Sequence, residues 1–145
     1  MAQGAIRKNG CEINSELARA SWGEKLITPI TQRRLEAAGA LVGCIALYFS
    51  RDYSGAVLAL YFFVPDLSIL AYIKGPQIGA AAYNTAHCYL FPIVIGGYAL
   101  LTGDSLALQV ALIWGAHISF DRVIGWGLKH PDSFCNTDLG RRKLP

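Results

Sequence analysis

The sequence predicts an all-α protein: a four-transmembrane-helix antiparallel bundle (residues 32–145) with a short polar amino-terminal arm (residues 1–31) and a cytoplasmic carboxy-terminal tail. Three observations carry this expectation. Hydrophobic residues make up 53% of the chain and charged residues only 16%, against about 25% charged in an average globular chain. Between Tyr53 and Phe120 only Asp66, Lys74 and Asp104 carry a full charge. The apolar residues also fall into runs near the ~20 residues that a helix needs to cross ~30 Å of hydrocarbon. The same composition excludes disorder, collagen and a nucleic-acid-binding surface, so the expected partner is a lipid bilayer and not a nucleic acid.

Taken in order, residues 1–31 are polar, with Arg7, Lys8, Glu12, Glu16, Arg19, Glu24 and Lys25, and no apolar stretch is followed by a small-residue cleavage site. No signal peptide is expected there. Ile13, Leu17 and Trp22 form only a weak helical stripe, and the arm is read as solvated and without assigned function. The first apolar segment, Leu35 to Ser50, is short and needs Arg33 and Arg34 to extend their charged ends into the headgroups. Gly55 to Ile73, Ile78 to Leu101 and Ser105 to Gly125 follow as three continuous helices. Their connections, Arg51-Asp52-Tyr53-Ser54, Lys74-Gly75-Pro76-Gln77 and Thr102-Gly103-Asp104, are tight and rich in turn residues, which makes consecutive helices antiparallel neighbours.

Barrel strands are a poor alternative, because the runs are long, rich in Ala and Leu, and lack alternation. A buried soluble bundle would need a polar face on each helix, and the second to fourth segments have none. Of the 13 Lys and Arg, all but Arg51 lie before the first apolar segment, in the second connection or from Arg122 onward, which places both termini in the cytoplasm by the positive-inside rule. Tyr48, Phe49, Tyr53, Tyr72 and Trp126 suit the interfacial belts. Gly39, Gly43, Gly79, Gly96, Gly97 and Gly115 are read as points of close helix approach, and a bundle this thin is expected to self-associate as a homo-oligomer. Cys11, Cys44, Cys88 and Cys135 are scattered and suggest neither a disulfide framework nor a zinc knuckle.

Ionisable groups at membrane depth are costly and turn toward the bundle interior, so the informative residues are Asp66, His87, His117 and Asp121, with Asn84 beside them. At ~1.5 Å per residue, Asp66 and His117 lie roughly 16 to 18 Å below the outer face and His87 about 14 Å above the inner one. His117 and Asp121 share a helix face as i,i+4, and Asn84 and His87 share one as i,i+3. One polar cluster in the inner half of the bundle is therefore expected, with Pro65 and Pro92 loosening the backbone nearby.

Two imidazoles and two carboxylates match the ligand set of a divalent transition metal, Zn, Mn or Fe. An open coordination position would lower the pKa of a bound water. The plainer alternative is that the four residues pair with one another, and with Arg122 or Tyr83, to lock helix packing. Arg122, Lys129, Arg141 and Arg142 are expected at the inner headgroup level, holding anionic lipid phosphates.

From Arg34 to Arg141 the chain resembles the domain of unknown function 4260 family of small bacterial membrane proteins. The resemblance is carried by Arg34-Leu35-Glu36, Pro65-Asp66-Leu67-Ser68, Gly75-Pro76, Tyr83-Asn84-x-x-His87, Pro92 and, above all, Trp114-x-x-His117-Ile118-x-Phe120-Asp121-Arg122-x-x-Gly125-Trp126-Gly127-Leu128-Lys129. It implies a helical membrane protein of the bacterial inner membrane and no established activity. Where the family usually shows Thr-His-Leu-Gly, this chain has Thr137-Asp138-Leu139-Gly140, so a tail histidine acting as ligand or proton carrier would here be replaced by a carboxylate. The Asp, His, His, Asp set is similar to that of membrane-bound metal-dependent hydrolases, a likeness at the level of analogy.

The functional expectation is accordingly an inner-membrane protein whose metal, held by His87, His117 and a carboxylate, activates water against a lipid or lipid-linked ester. The second carboxylate of the pair Asp66 and Asp121 is the catalytic base. The alternative is a non-enzymatic subunit in which the same residues relay protons, bind a small ion or fix helix registry.

Overall fold

In the computed structural model of the chain, residues 28–132 and 134–141 are described; the expected arm up to residue 27, and Arg142, lie outside them. The chain divides into two compact units, Met1–Gln32 and Arg33–Pro145. In the first, Thr28 caps the opening turn of helix α1 (Pro29–Ser50) by accepting the Thr31 backbone N–H on its hydroxyl at 3.1 Å, with proline at the first helical position, where its missing donor costs nothing. This cap starts α1 six residues earlier than the apolar run alone suggests.

The described residues are helical from Pro29 to Ile124, interrupted only at short joints. The second expected helix is not continuous. It begins as α2 (Gly55–Tyr61) and continues as a 3-10 helix, Val64–Lys74. Pro65 sits in the opening turn of the 3-10 helix, where a residue without an N–H cannot carry the α ladder across the joint. At ~1.5 Å per α residue and ~2 Å per 3-10 residue, Gly55–Lys74 still reaches about 30 Å.

The third expected helix also divides, into α3 (Pro76–Ala86) and α4 (Leu90–Thr102). Pro92 offers no donor to the Cys88 carbonyl four residues earlier, and its ring would strike it, so the chain leaves the α path at His87–Tyr89. The carbonyl of Ala86 stranded at this break accepts the Trp114 indole N–H at 2.7 Å.

The fourth is unbroken: α5 (Ser105–Ile124) opens on Asp104, whose carboxylate accepts the N–H groups of Leu106 and Ala107 at 2.9 and 3.0 Å. It ends on Gly125 at φ 89°, a left-handed cap that glycine adopts without strain. Nine α5 residues, from Leu108 to Ser119, are buried. It is the core helix of the second unit. Tyr48, Ala99, Leu108, Leu112 and Ile113 pack as one cluster around it. Tyr48, expected at a membrane interface, is buried instead, donating to the Ser54 carbonyl and accepting from Gln109.

Elsewhere the apolar surface faces outward. Two stretches, Gly55–Lys74 and Pro76–Thr102, are long and apolar enough to cross a membrane by length and composition, and only 6% and 17% of their most apolar windows is buried. Leu60, Leu70, Ile73, Val94, Leu100 and Leu101 are all exposed. After α5 the tail returns as a two-residue antiparallel ladder, β1 (Asn136–Thr137) with β2 (Gly140–Arg141), and Lys129 bridges to Thr137.

Candidate metal centre

The two helix joints and the central helix bring the expected quartet together. Asp66 stands in the first turn of the 3-10 helix, His87 caps the end of α3, and His117 and Asp121 lie one turn apart on α5. The Nε2 atoms of His87 and His117 are 3.1 Å apart. Asp66 Oδ1 lies 3.5 Å from His87 Nε2 and 3.6 Å from His117 Nε2, and Asp121 Oδ2 lies 3.4 and 3.9 Å from the same two atoms. One ligand atom from each residue falls within 4.8 Å of all the others.

Four donors held ~2.0 to 2.1 Å from one tetrahedral ion stand about 3.3 Å from each other, and the five separations bracket that spacing. The four side chains differ in access: Asp66 is 33% exposed, whereas Asp121, His87 and His117 are 13%, 4% and 1% exposed. The approach to the cluster is therefore past Asp66.

The surrounding contacts aim the donors. His87 Nδ1 lies 2.9 Å from the Tyr83 carbonyl, which can only accept, so Nδ1 carries the proton and the Nε2 lone pair faces the cluster. His117 Nε2–H then supplies the proton shared between the two rings, a proton that a metal held by these two nitrogens would displace. Tyr83 also stacks on the His87 ring with centroids 3.7 Å apart and donates its hydroxyl to Asp121 at 2.8 Å. Phe62 packs edge-on against His117 at 5.2 Å and closes the apolar side.

Several expected members stand elsewhere. Asn84 does not join the cluster; its amide donates to the Lys129 carbonyl at 2.9 Å and accepts the Lys129 N–H at 2.7 Å, pinning the tail to α3. Arg122, expected to support the cluster, lies over the Tyr89 ring at 4.4 Å instead. Lys129, expected among lipid headgroups, is 3% exposed, with Nζ at 3.9 Å from the Trp126 and Phe134 ring centres and 4.8 Å from that of Tyr83. Three aromatic faces solvate this ammonium where lipid phosphates were expected to.

Asp138, at the family's usual histidine, pairs with Arg33 at 3.2 Å and accepts the Leu128 N–H at 2.8 Å. It lies outside the quartet, so the substitution takes no ligand from it. Arg141 is placed by its backbone in β2, paired with Asn136. Among the glycines, Gly79, Gly96 and Gly115 do meet side chains of neighbouring elements, Tyr72, Ala111 and Cys44, but Gly39, Gly43 and Gly97 face open space. Tyr83, expected as an alternative partner of the cluster, does bond to Asp121; Trp114 is the functional neighbour that sequence reasoning leaves unassigned, and its place three residues before His117 is the signal that points to it.

Fold and cluster together define a helical protein with an apolar outer surface and a two-histidine, two-aspartate constellation beside its central helix. The family model for the Domain of unknown function (DUF4260) matches residues 31–142, and the chain belongs to that family. No curated protein and no solved structure matches it.

Proposed function

We propose that this chain is a multi-pass protein of the bacterial inner membrane, with four crossing helical segments and both termini cytoplasmic. In it His87, His117 and Asp121 hold a divalent transition metal, Zn, Mn or Fe, with Asp66 beside the open coordination position, and the site hydrolyses a lipid or lipid-linked ester. The observation that carries the metal reading is the convergence of two Nε2 atoms and two carboxylate oxygens at 3.1 to 3.9 Å. The membrane reading is supported by the outward-facing apolar surface of Gly55–Lys74 and Pro76–Thr102 and by the placing of the basic residues.

A bound metal would supply Lewis acidity and a water of lowered pKa. Environment divides the two carboxylates. Asp121, more buried and held by the Tyr83 hydroxyl, is suited to a fixed ligand. Asp66, more exposed and beside the approach, is suited to take the proton as water adds to the ester carbonyl and the acyl–oxygen bond opens to acid and alcohol.

Elemental analysis of the detergent-purified full chain tests this. The expected result is about one transition metal per chain, lost in His117→Ala, with phospholipid ester hydrolysis abolished by a chelator and restored by the metal. Metal-free protein that carries pH-dependent ion flux in liposomes overturns the hydrolase in favour of a proton relay. Metal-free protein without flux leaves the cluster as a helix-packing device.

A further inference from the structure

A groove of about 1000 Å³ runs along α1, α4 and α5, and none of the four cluster residues lines it. On α5 it is bounded by Leu108, Ala111, Leu112, Gly115, Ser119 and Arg122, which at ~100° per residue occupy the face opposite His117 and Asp121. The lining changes character along its length. Arg33, Glu36, Tyr89, Ser119, Arg122 and Asp138 gather at the end nearest the tail, and Leu47, Ile93, Leu100 and Leu108 form the far part. From Arg122 to Leu108, and from Arg33 to Leu47, a rise of ~1.5 Å per residue gives about 21 Å, more than the ~15 Å of one leaflet's hydrocarbon.

The polar end is not evenly neutralised. Arg33 is paired with Asp138 at 3.2 Å, and Glu36 has interactions of its own. Arg122 is different: its guanidinium carbon lies over the Tyr89 ring, 4.4 Å from the centroid, and among the described residues it forms no ion pair. The ring is itself fixed. Ser119 gives its proton to the Gly115 carbonyl at 2.7 Å, so the Tyr89 hydroxyl donates to Ser119 at 2.9 Å. A planar cation thus stands pre-oriented at the mouth of an apolar trough, with donors left for phosphate oxygens.

We propose that this groove binds an anionic glycerophospholipid of the phosphatidylglycerol type, its phosphate on Arg122 and one acyl chain laid along Gly96 and Gly97 toward Leu108. The site rests on the membrane placement proposed above and not on the metal.

Native mass spectrometry of the detergent-purified full chain tests it, with phosphatidylglycerol and a diacylglycerol of the same chains as probes. The intact chain should retain one phosphatidylglycerol with about tenfold preference over the diacylglycerol, the scale of one charge-assisted contact. Arg122→Gln should bring that preference close to one. Gly97 lines the groove and an added Cβ there meets nothing within 4 Å, so Gly97→Leu should extend into the trough and lower retention of both lipids.

Equal retention of the two probes by the intact chain overturns the proposal, as does unchanged preference in Arg122→Gln. A lipid-free dimer overturns it by seating a second copy on this face. An unchanged thermal unfolding midpoint in detergent for both variants serves as the folding control. A chain that stays dispersed without detergent removes the membrane placement itself, an outcome read separately from lipid retention.

Discussion

α5 and the stretch Pro76–Thr102 are both long helical segments with few charges, yet they treat their polar residues differently. α5 runs unbroken for 20 residues, buried along its middle, and presents His117 and Asp121 by spacing alone. Pro76–Thr102 faces outward and breaks, and His87 sits at the break. Gly55–Lys74 repeats the second pattern, with Asp66 next to Pro65 where α gives way to 3-10. A regular helix supplies two donors one turn apart, and no more from a single face at that depth. Here the third and fourth donors come from chain segments that leave the α path, Asp66 beside Pro65 and His87 five residues before Pro92.

The sharpest way to break this comparison is on the regular side. His117→Ala removes a buried donor that nothing else on α5 replaces, and metal affinity is expected to fall by more than the ~100-fold seen for losing an outer partner, measured by elemental analysis after dialysis. Tyr83→Phe keeps the ring on His87 but deletes the hydroxyl held by Asp121; a loss of about 10- to 100-fold in metal affinity is expected by competition with a chromophoric chelator.

On the irregular side, Pro92→Ala removes a bias of ~3 kcal/mol against an α turn at residues 88–92. The joint should close and carry His87 away from His117, weakening metal binding about tenfold by the same titration; an unchanged affinity would show that the break is held by Trp114 and not by proline. Asn84→Ala unties the tail, and a loss of about 1 to 3 kcal/mol is expected from thermal unfolding in detergent, with metal stoichiometry retained. Arg33→Ala cuts an ion pair whose side chains are 57% and 35% exposed, and should cost less than ~1 kcal/mol in the same measurement.

Much of the quartet was legible because charge is so scarce between Tyr53 and Phe120 that Asp66, His87 and His117 stand out, with Asp121 one turn beyond His117. The three connections were legible as well, from Asp52, Gly75, Gly103 and their neighbours. Pro65 and Pro92 signalled weakness without saying where the helices stop, since that depends on whether a stranded carbonyl finds a partner, and Trp114 comes from another helix. Lys129 was misplaced for a related reason. Sequence offers a cation at a segment end, but only tertiary structure brings Tyr83, Trp126 and Phe134 around it. The groove was hidden by its glycines, because Gly96 and Gly97 read alike, whereas one faces Ala111 and the other faces open space.

The paired hydrogen bonds between Asn84 and the Lys129 backbone have a consequence for biosynthesis. Tyr83 and His87 are translated some forty residues before the segment that steadies their helix, and Asp121 only shortly before it. A chain stalled after α5 would therefore carry every donor of the quartet while the end of α3 still lacked its tie to Lys129.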